Sequence, residues 1–595
     1  MQRHFTDERL EKLRKVLLLL VPLVYVAVLS FSLSGEWFPA DDRQELVFVR
    51  GAESFWRLLG ADVFGLFRPV KNLLFLLFVR LEPAGVKWCR LVGIGIGVLS
   101  FFPVLALCCR ILGNEWKALI AAAVWLLSPT LVSSAAWLSC VNIQIMVVFS
   151  ALSIVFHDEA WTVADHHVSR ILLAGLFFFL SLVSYECAIA LLPILFLFDF
   201  LLRPERAKSR EGWKSYAFYA VIAVVYLALR HAFNASTQMN GSFANVERWQ
   251  LVVSSAFFTG EHFLSWFWPF RRFTVFGSYK WGDASWMVLA LCAVVFIAAL
   301  VFAIAERKRF PILSFCILFS LFAFAPVSNC LGLKNGPYGD YYLSLASIGL
   351  AMGCVEFVSL LIKAKGKSIP FTFCAVIVFA IIRLFTIPEA TKWAGFWSRG
   401  EVAFSESIRN YPDCFSNKIL AATLFYDAGF SEEALELGCQ VESVVGSDSP
   451  QMCNIHLMRA IHALRVEKNA EKALNEIEKS VRTDGMGGSP KNRHYYRGCV
   501  LEDLMGDTAA AEEEYETALA GQWDIDLVPC SDRLARLKAI RGDLNEAILL
   551  WEKASRLDPR NETVLRNLST AYRAAGDSLK SEDTLKRAQR LESEL

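Results

Sequence analysis

Long apolar runs separated by short basic loops fill the first 390 or so residues, and few folds other than a set of membrane-crossing helices can hide such a pattern. About eleven runs approach the roughly 17–25 residues that a bilayer requires. They lie near 16–34, 92–110, 117–135, 141–157, 170–185, 186–202, 215–232, 284–304, 311–328, 341–363 and 369–387. Mean hydropathy is +0.40, with 55% apolar residues and 46 Phe, a load that a water-soluble chain of 595 residues could not bury. The net charge of +1 gives no reason to expect nucleic acid as a partner. The first run follows Arg3, Arg9, Lys12, Arg14 and Lys15 and lacks a small-residue cleavage site, so it reads as a retained helix.

Basic loops set the expected orientation. The N-terminus, the Arg203–Lys214 loop, Arg307/Lys308/Arg309 and Lys363/Lys365/Lys367 all fall in the cytoplasm if the Trp- and Phe-rich stretch 250–268 lies at the interface or re-enters rather than crossing. A first outer loop of about 35–91 is then extracytoplasmic, as are the loops around Ser139–Asn142 and Asn329–Tyr341 and the C-terminal part of the chain.

From about Pro388 the pattern changes. Gly542, Ala547, Trp551, Ala554 and Pro559 fit the turn, packing and terminal positions of a tetratricopeptide repeat, and Gly576 follows Gly542 by the ideal 34 residues. The offsets recur from Gly506 (Ala511, Tyr515, Ala518) and from Gly576 (Leu585, Ala588), and more loosely from Gly429 (Ala434) and Lys468 (Ala473, Ile477). Small residues let paired helices approach closely, and stacked pairs bury faces that one pair alone could not. The expected fold class is therefore all-α: a polytopic membrane bundle over 1–390 and an α-solenoid over 391–595.

Ionisable residues near the membrane are the candidates for chemistry. Asp41-Asp42 follows Trp37-Phe38-Pro39-Ala40 at the outer mouth of the first helix, where a carboxylate can accept a proton from an attacking hydroxyl or orient it; an ordinary solvated loop reads the same way. Glu186 lies at the outer junction of two apolar runs, and Arg230 closes the helix holding Tyr226, places where a charge is costly without a partner or a wet cavity. Arg68, before Pro69 and Lys71, offers a planar fork suited to phosphate, or an interface anchor. Asp199, beside the Arg203 loop, reads as structural. His157, Asp158, Glu159, Asp165, His166 and His167 have the composition of metal ligands but are expected to form a solvated cytoplasmic loop.

Other chemistry finds no support. The 15 Cys are scattered with no CxxC pair, and buried Cys behaves as a small apolar residue. No Walker-type loop, GxGxxG or HExxH occurs, and no residue set calls for a metal cofactor. The sequons at Asn234 and Asn561 matter only in a glycosylating compartment.

Taken in order, these features resemble a GT-C-type membrane glycosyltransferase, closest to the tetratricopeptide-repeat transmembrane O-mannosyltransferases and their bacterial relatives. Asp41-Asp42 stands where that family places its acidic motif. Phe67-Arg68-Pro69-Val70 is similar to its YRPL-like motif, and Leu126-Leu127-Ser128-Pro129 through Ser139 to its proline-containing third span. Ser184-Tyr185-Glu186 through Asp199 resembles the KE…D segment, and Pro326-Val327-Ser328-Asn329 with Tyr338–Gly349 resembles the PxSN…AERxLYLPSxG region. The chain departs from the family at Asp340 and Tyr341, where it has an ER pair, at Tyr185, where it has lysine, and at Cys89–Gly95, which lacks its His-x-x-Asn.

The resemblance implies a polyprenyl- or dolichyl-phosphate sugar as donor, a hydroxyl acceptor on a protein or peptide held by the repeats, and inversion at the sugar carbon with Asp41 or Asp42 as general base. It implies Arg68 and Arg230 on the lipid phosphate, and Glu186, Asp340 and Tyr341 around the sugar or acceptor. The expected site is a bacterial plasma membrane, with the endoplasmic reticulum as the alternative. A membrane-anchored repeat scaffold and a transporter of lipid-linked sugar stay open beside the transferase reading.

Overall fold

The computed structural model describes residues 2–38, 41–52, 54–162, 166–233, 259–260, 262–264, 266–267, 286–328, 339–364, 386–412, 414–449, 452–482, 490–520 and 527–594. Most of the 250–268 stretch, the 329–338 part of the outer loop, nearly all of the 369–387 run, Asp165 and the sequon at Asn234 lie outside them. Every regular element among the described residues is helical.

Two compact units emerge: Met1–Phe38 with Leu58–Cys414, and Pro39–Arg57 with Phe415–Leu595. The first holds six helices long and apolar enough to cross a membrane: Glu11–Ser30, Val86–Leu112, Leu138–Glu159, His167–Ser184, Arg210–Ala232 and Asp340–Ile362. A seventh arises if Glu115–Leu126 and Pro129–Ala136, bent by 57°, are one broken span. The break has a local cause: Ser128 precedes Pro129, is extended (ψ 136°), and cannot easily continue a helix. Two other expected spans are shorter here: the 186–202 run is a five-residue 3₁₀ turn followed by the helix Leu191–Leu202, and the 311–328 run is the apolar helix Pro311–Val327. The 284–304 run forms the 20-residue helix Trp286–Ala305. The expectation of about eleven spans thus meets six or seven by length and composition among the described residues.

Several polar groups inside this unit are tied to backbone or to each other, as a medium without water favours. Trp125 donates to the Ser344 carbonyl at 2.9 Å, Asn142 to the Ser184 carbonyl at 2.8 Å, and Gln144 to the Tyr25 hydroxyl at 3.1 Å. Apolar side chains on Glu11–Ser30 and Arg210–Ala232 instead remain exposed, among them Leu19, Leu23, Val221 and Val224. Surfaces of that kind suit lipid.

The loop expected over 35–91 is largely helical, with Asp42–Arg50, Phe55–Leu58 and Pro69–Leu81 inside it. Phe38 is sealed in an aromatic box of Trp137, Trp397 and Phe404, with ring centroids 5.3, 5.1 and 5.9 Å away. The amide of Glu36 donates to Ser398 O at 3.0 Å, and its carbonyl accepts from the buried Arg90.

The second unit is an array of helical hairpins of the tetratricopeptide type. Its pairs are Phe415–Asp427 with Ser431–Val445, Cys453–His462 with Ala470–Arg482, Pro490–Val500 with Thr508–Leu519, Val528–Arg541 with Leu544–Leu557, and Glu562–Ala574 with Ser578–Glu594. Each hairpin turns on a residue of positive φ: Gly429, Lys468, Gly506, Gly542 and Gly576. Glycine takes that conformation without steric cost, whereas Lys468 adopts it against preference. Ala434, Ala473, Ala511, Ala547, Ala554 and Ala588 are fully buried, so the expected packing positions do carry the helix contacts. The core of this unit also takes in Val47, from the helix Asp42–Arg50.

Candidate functional site

One charged cluster inside the first unit is built around Arg68. Asp62 shapes the loop before it, accepting from the amides of Phe64 (3.0 Å) and Leu66 (2.8 Å), while Asn72 donates to the Leu58 carbonyl at 2.8 Å. Pro69 then opens a helix and holds Arg68 outside it (φ −134°, ψ 60°). The guanidinium, almost wholly buried, lies 4.3 Å from the centre of the Tyr185 ring. It meets Glu186 through both arms of its fork, Nε to Oε2 at 2.7 Å and Nη2 to Oε1 at 2.6 Å.

Glu186 is aimed by a break in the chain. The helix His167–Ser184 ends at Tyr185, which is extended (φ −158°, ψ 126°), and the chain re-enters a short 3₁₀ turn at Glu186. Arg230 lies within electrostatic reach of the same carboxylate, and Tyr226 within reach of Arg230, Arg68 and Glu186. The Phe67 ring packs 5.9 Å from Tyr226 and 5.4 Å from Phe233. Tyr342 is in reach of Arg68, and Tyr341 stands edge-on to it, ring centroids 4.5 Å apart. Lys71 and Asp62 form a second, looser pair at 3.9 Å.

Of the residues picked out by sequence, Arg68, Glu186 and Arg230 thus come together, with Tyr341 at their margin through Tyr342. Asp340 is half-buried at the start of the 3₁₀ turn that carries both tyrosines. Asp41 and Asp42 belong to the other unit and start the helix Asp42–Arg50. That helix does not float in solvent as an open loop would. Asp42 and Glu45 are fully buried and Asp41 is half-buried, while both acidic residues of the first turn suit the positive end of the helix dipole. Sequence reasoning gave no role to Asp62, Tyr342 or Arg90. A buried acidic residue four positions before the Leu66–Phe67–Arg68 segment was the only signal for the first.

A second polar cluster lies at the other end of the same helices, and here the expected solvated loop is corrected. His157 is fully buried, with Nε2 2.8 Å from Asp199 Oδ2 and Nδ1 3.0 Å from the Tyr219 hydroxyl. Tyr216 donates to the same Asp199 oxygen at 2.8 Å. Asp158, also buried, accepts from Arg206 at 2.7 Å and Arg110 at 3.4 Å, and Glu159 accepts from Arg110 at 2.8 Å. A pairing partner from a neighbouring helix lets these side chains leave water without an uncompensated charge. Among the described residues, no group of three or more His, Cys, Asp or Glu is arranged to hold a metal ion.

In the repeat unit, a groove of about 490 Å³ runs between the last three helices, lined by Arg556, Leu568, Tyr572, Lys580 and Arg587 among others. Tyr572 donates to Glu552 there, and Lys580 lies 5.2 Å from the centre of the tyrosine ring.

No protein-family model matches the chain, and no curated protein matches it. Solved structures do resemble it. One is YrrB, a TPR protein with an unusual peptide-binding site, at 18% identity over 32% of this chain and 92% of that one, with a TM-score of 0.22. Another is the APC/C hetero-tetramer Cut9–Hcn1, at 14% identity over 88% of this chain and 94% of that one, with a TM-score of 0.29. A third is yeast Tom70, at 14% identity over 79% of this chain and 95% of that one, with a TM-score of 0.25. Nothing about activity or partners follows from likenesses this distant.

Proposed function

We propose that the chain is a GT-C-type membrane glycosyltransferase that moves a hexose from a polyprenyl- or dolichyl-phosphate carrier to a hydroxyl group on a protein or peptide. The observation that carries the reading is the forked pair of Arg68 and Glu186 among buried aromatics, with Arg230 in electrostatic reach, inside a unit made of apolar helices. Ionisable groups in such surroundings are expensive, and they mark substrate sites more often than they serve packing. Two guanidiniums suit a phosphate, and the tyrosines beside them give a sugar ring faces to stack on and hydroxyls to bond.

The reaction balances without a cofactor. A carboxylate of the acidic pair takes the proton of the acceptor hydroxyl, the oxygen attacks the sugar carbon from the face opposite the phosphate, and the carbon–oxygen bond to phosphate breaks. The leaving polyprenyl phosphate keeps the electron pair, and the arginines stabilise it. Of the pair, Asp41 is half-buried and Asp42 fully buried, so Asp41 is the better candidate for the base. Support for a shared role of acidic pair and repeats comes from Val47, which the repeat core includes. The repeats would hold the acceptor, and both would face the extracytoplasmic side.

The test is transfer of sugar from a lipid-phosphate donor in membranes carrying the full chain. Asp41→Asn should abolish product while expression and membrane insertion stay at wild-type level. Undiminished product from Asp41→Asn, Asp42→Asn and the double variant would overturn the reading. The scaffold alternative predicts silence from those variants.

A further inference from the structure

We infer that Glu186 is an internal stand-in for the substrate phosphate, closing the Arg68 fork in the empty protein and releasing it when a phosphate monoanion arrives. The inference rests on the proposed donor-phosphate site and adds the device that guards it.

Geometry supplies the first support. A carboxylate that meets Nε and Nη2 of one guanidinium, at 2.7 and 2.6 Å, occupies the two positions a phosphate would use. While Glu186 sits there, the side-on fork of Arg68, made by Nε and Nη2, is taken.

The second support is an asymmetry between the partners. Arg68 is fixed from several sides: its side chain is 11% exposed, Tyr185 stacks on it, and its backbone amide donates to Leu66 at 3.1 Å. The Glu186 side chain keeps 25% of its surface exposed and stands at the start of a short turn after an extended residue. The carboxylate is the less enclosed of the two partners and the one that can rotate away.

Charge gives the third support. Among the described residues, Arg68 is paired with Glu186 and Lys71 with Asp62. A sugar phosphodiester carries the same single negative charge as the carboxylate, so it can replace Glu186 on Arg68 without leaving that guanidinium uncompensated.

A structural ion pair and an exchangeable one respond differently to substitution. If Glu186 competes with phosphate, the apparent affinity falls by the fraction of time that the fork is open, and removing the competitor restores it. Citronellyl methyl phosphate, a short prenyl phosphodiester, and inorganic phosphate are titrated separately into the purified full-length protein in lipid nanodiscs. Glu186→Gln should bind the prenyl ester about tenfold more tightly than wild type. Glu186→Asp, which keeps the charge but is one methylene too short to reach the fork from the same backbone position, should also gain, and it decides the matter if the amide variant fails to fold. Arg68→Gln should lose binding in either background.

Equal or weaker binding by both Glu186 variants, with wild type binding measurably, overturns the stand-in role and leaves the phosphate site intact. No binding of the prenyl ester by wild type or either variant overturns the donor-phosphate reading itself. A gain confined to inorganic phosphate refutes the lipid-phosphate assignment, whereas a gain with the prenyl ester supports it.

Discussion

Val47 is the residue through which the Asp42–Arg50 helix joins the core of the repeat unit, and Val47→Ala measures that union. The valine is 2% exposed. The end of the same helix meets the repeats as well: Arg50 Nη1 donates to the Leu557 carbonyl at 3.0 Å, and a methyl group added at Gly51 would lie 3.2 Å from a Leu557 methyl. The substitution removes two methyl groups, each worth about 0.8 kcal/mol of transfer free energy, and leaves a small cavity, for a total near 2 kcal/mol. A loss of that size multiplies the opening equilibrium roughly thirtyfold. Hydrogen exchange followed by mass spectrometry on the full chain should show faster exchange in both Asp42–Arg50 and Leu544–Leu557. Val444→Ala, at a half-exposed valine of the same unit, should change either region by less than about 0.5 kcal/mol. If Val47→Ala accelerated exchange in Asp42–Arg50 alone, or in neither segment, that helix would not be part of the repeat core, and the argument linking Asp41 to the repeats would fall.

Other outcomes follow from single contacts. Burial pushes the Glu476 carboxyl up, but hydrogen bonds from His456 and Lys479 outweigh it and hold the group down at about 2. A carboxylate held below its ordinary value stabilises the fold above the ordinary range and loses that stabilisation as pH falls towards about 2. The thermal midpoint of the repeat unit should therefore drop more steeply between pH 4.5 and 2 in wild type than in Glu476→Gln. Gly498→Ala should destabilise the unit by about 1–3 kcal/mol, because a methyl group there would stand 2.4 Å from the Tyr515 ring; chemical denaturation reads it. Arg68→Leu alone should cost about 3–5 kcal/mol by stranding Glu186, and Arg68→Leu with Glu186→Leu should recover most of it, measured as thermal stability in detergent.

Local causes were legible from sequence, and distant ones were not. The hairpins could be read because their requirements are short-range: a residue of positive φ at the turn and alanine where two helices touch. Even Lys468, the one non-glycine of positive φ among the described residues, fell at its expected place. The break at Ser128-Pro129 has an equally local cause, yet the run 117–135 reads from its apolar residues as one continuous span. Arg68 and Glu186 could each be singled out as a costly charge, but their pairing spans 118 residues and depends on how the bundle closes. The burial of Asp42 was further out of reach, since the helix it begins packs with residues such as Leu557, some 507 positions from Arg50. His157 and Asp158 failed for a related reason: composition suggested a wet loop, while Arg206, Asp199 and Tyr219 arrive from other helices to pair with them.

The path of the backbone has a practical outcome. Because residues 39–57 are shared with the tail, the polypeptide passes between the two units three times, after Phe38, after Arg57 and after Cys414. One protease nick near 414 would leave the tail attached through its borrowed helix. A fragment starting at Phe415 would fold with a notch where Val47 belongs, and the truncated remainder would carry an orphaned amphipathic segment with no surface to cover it.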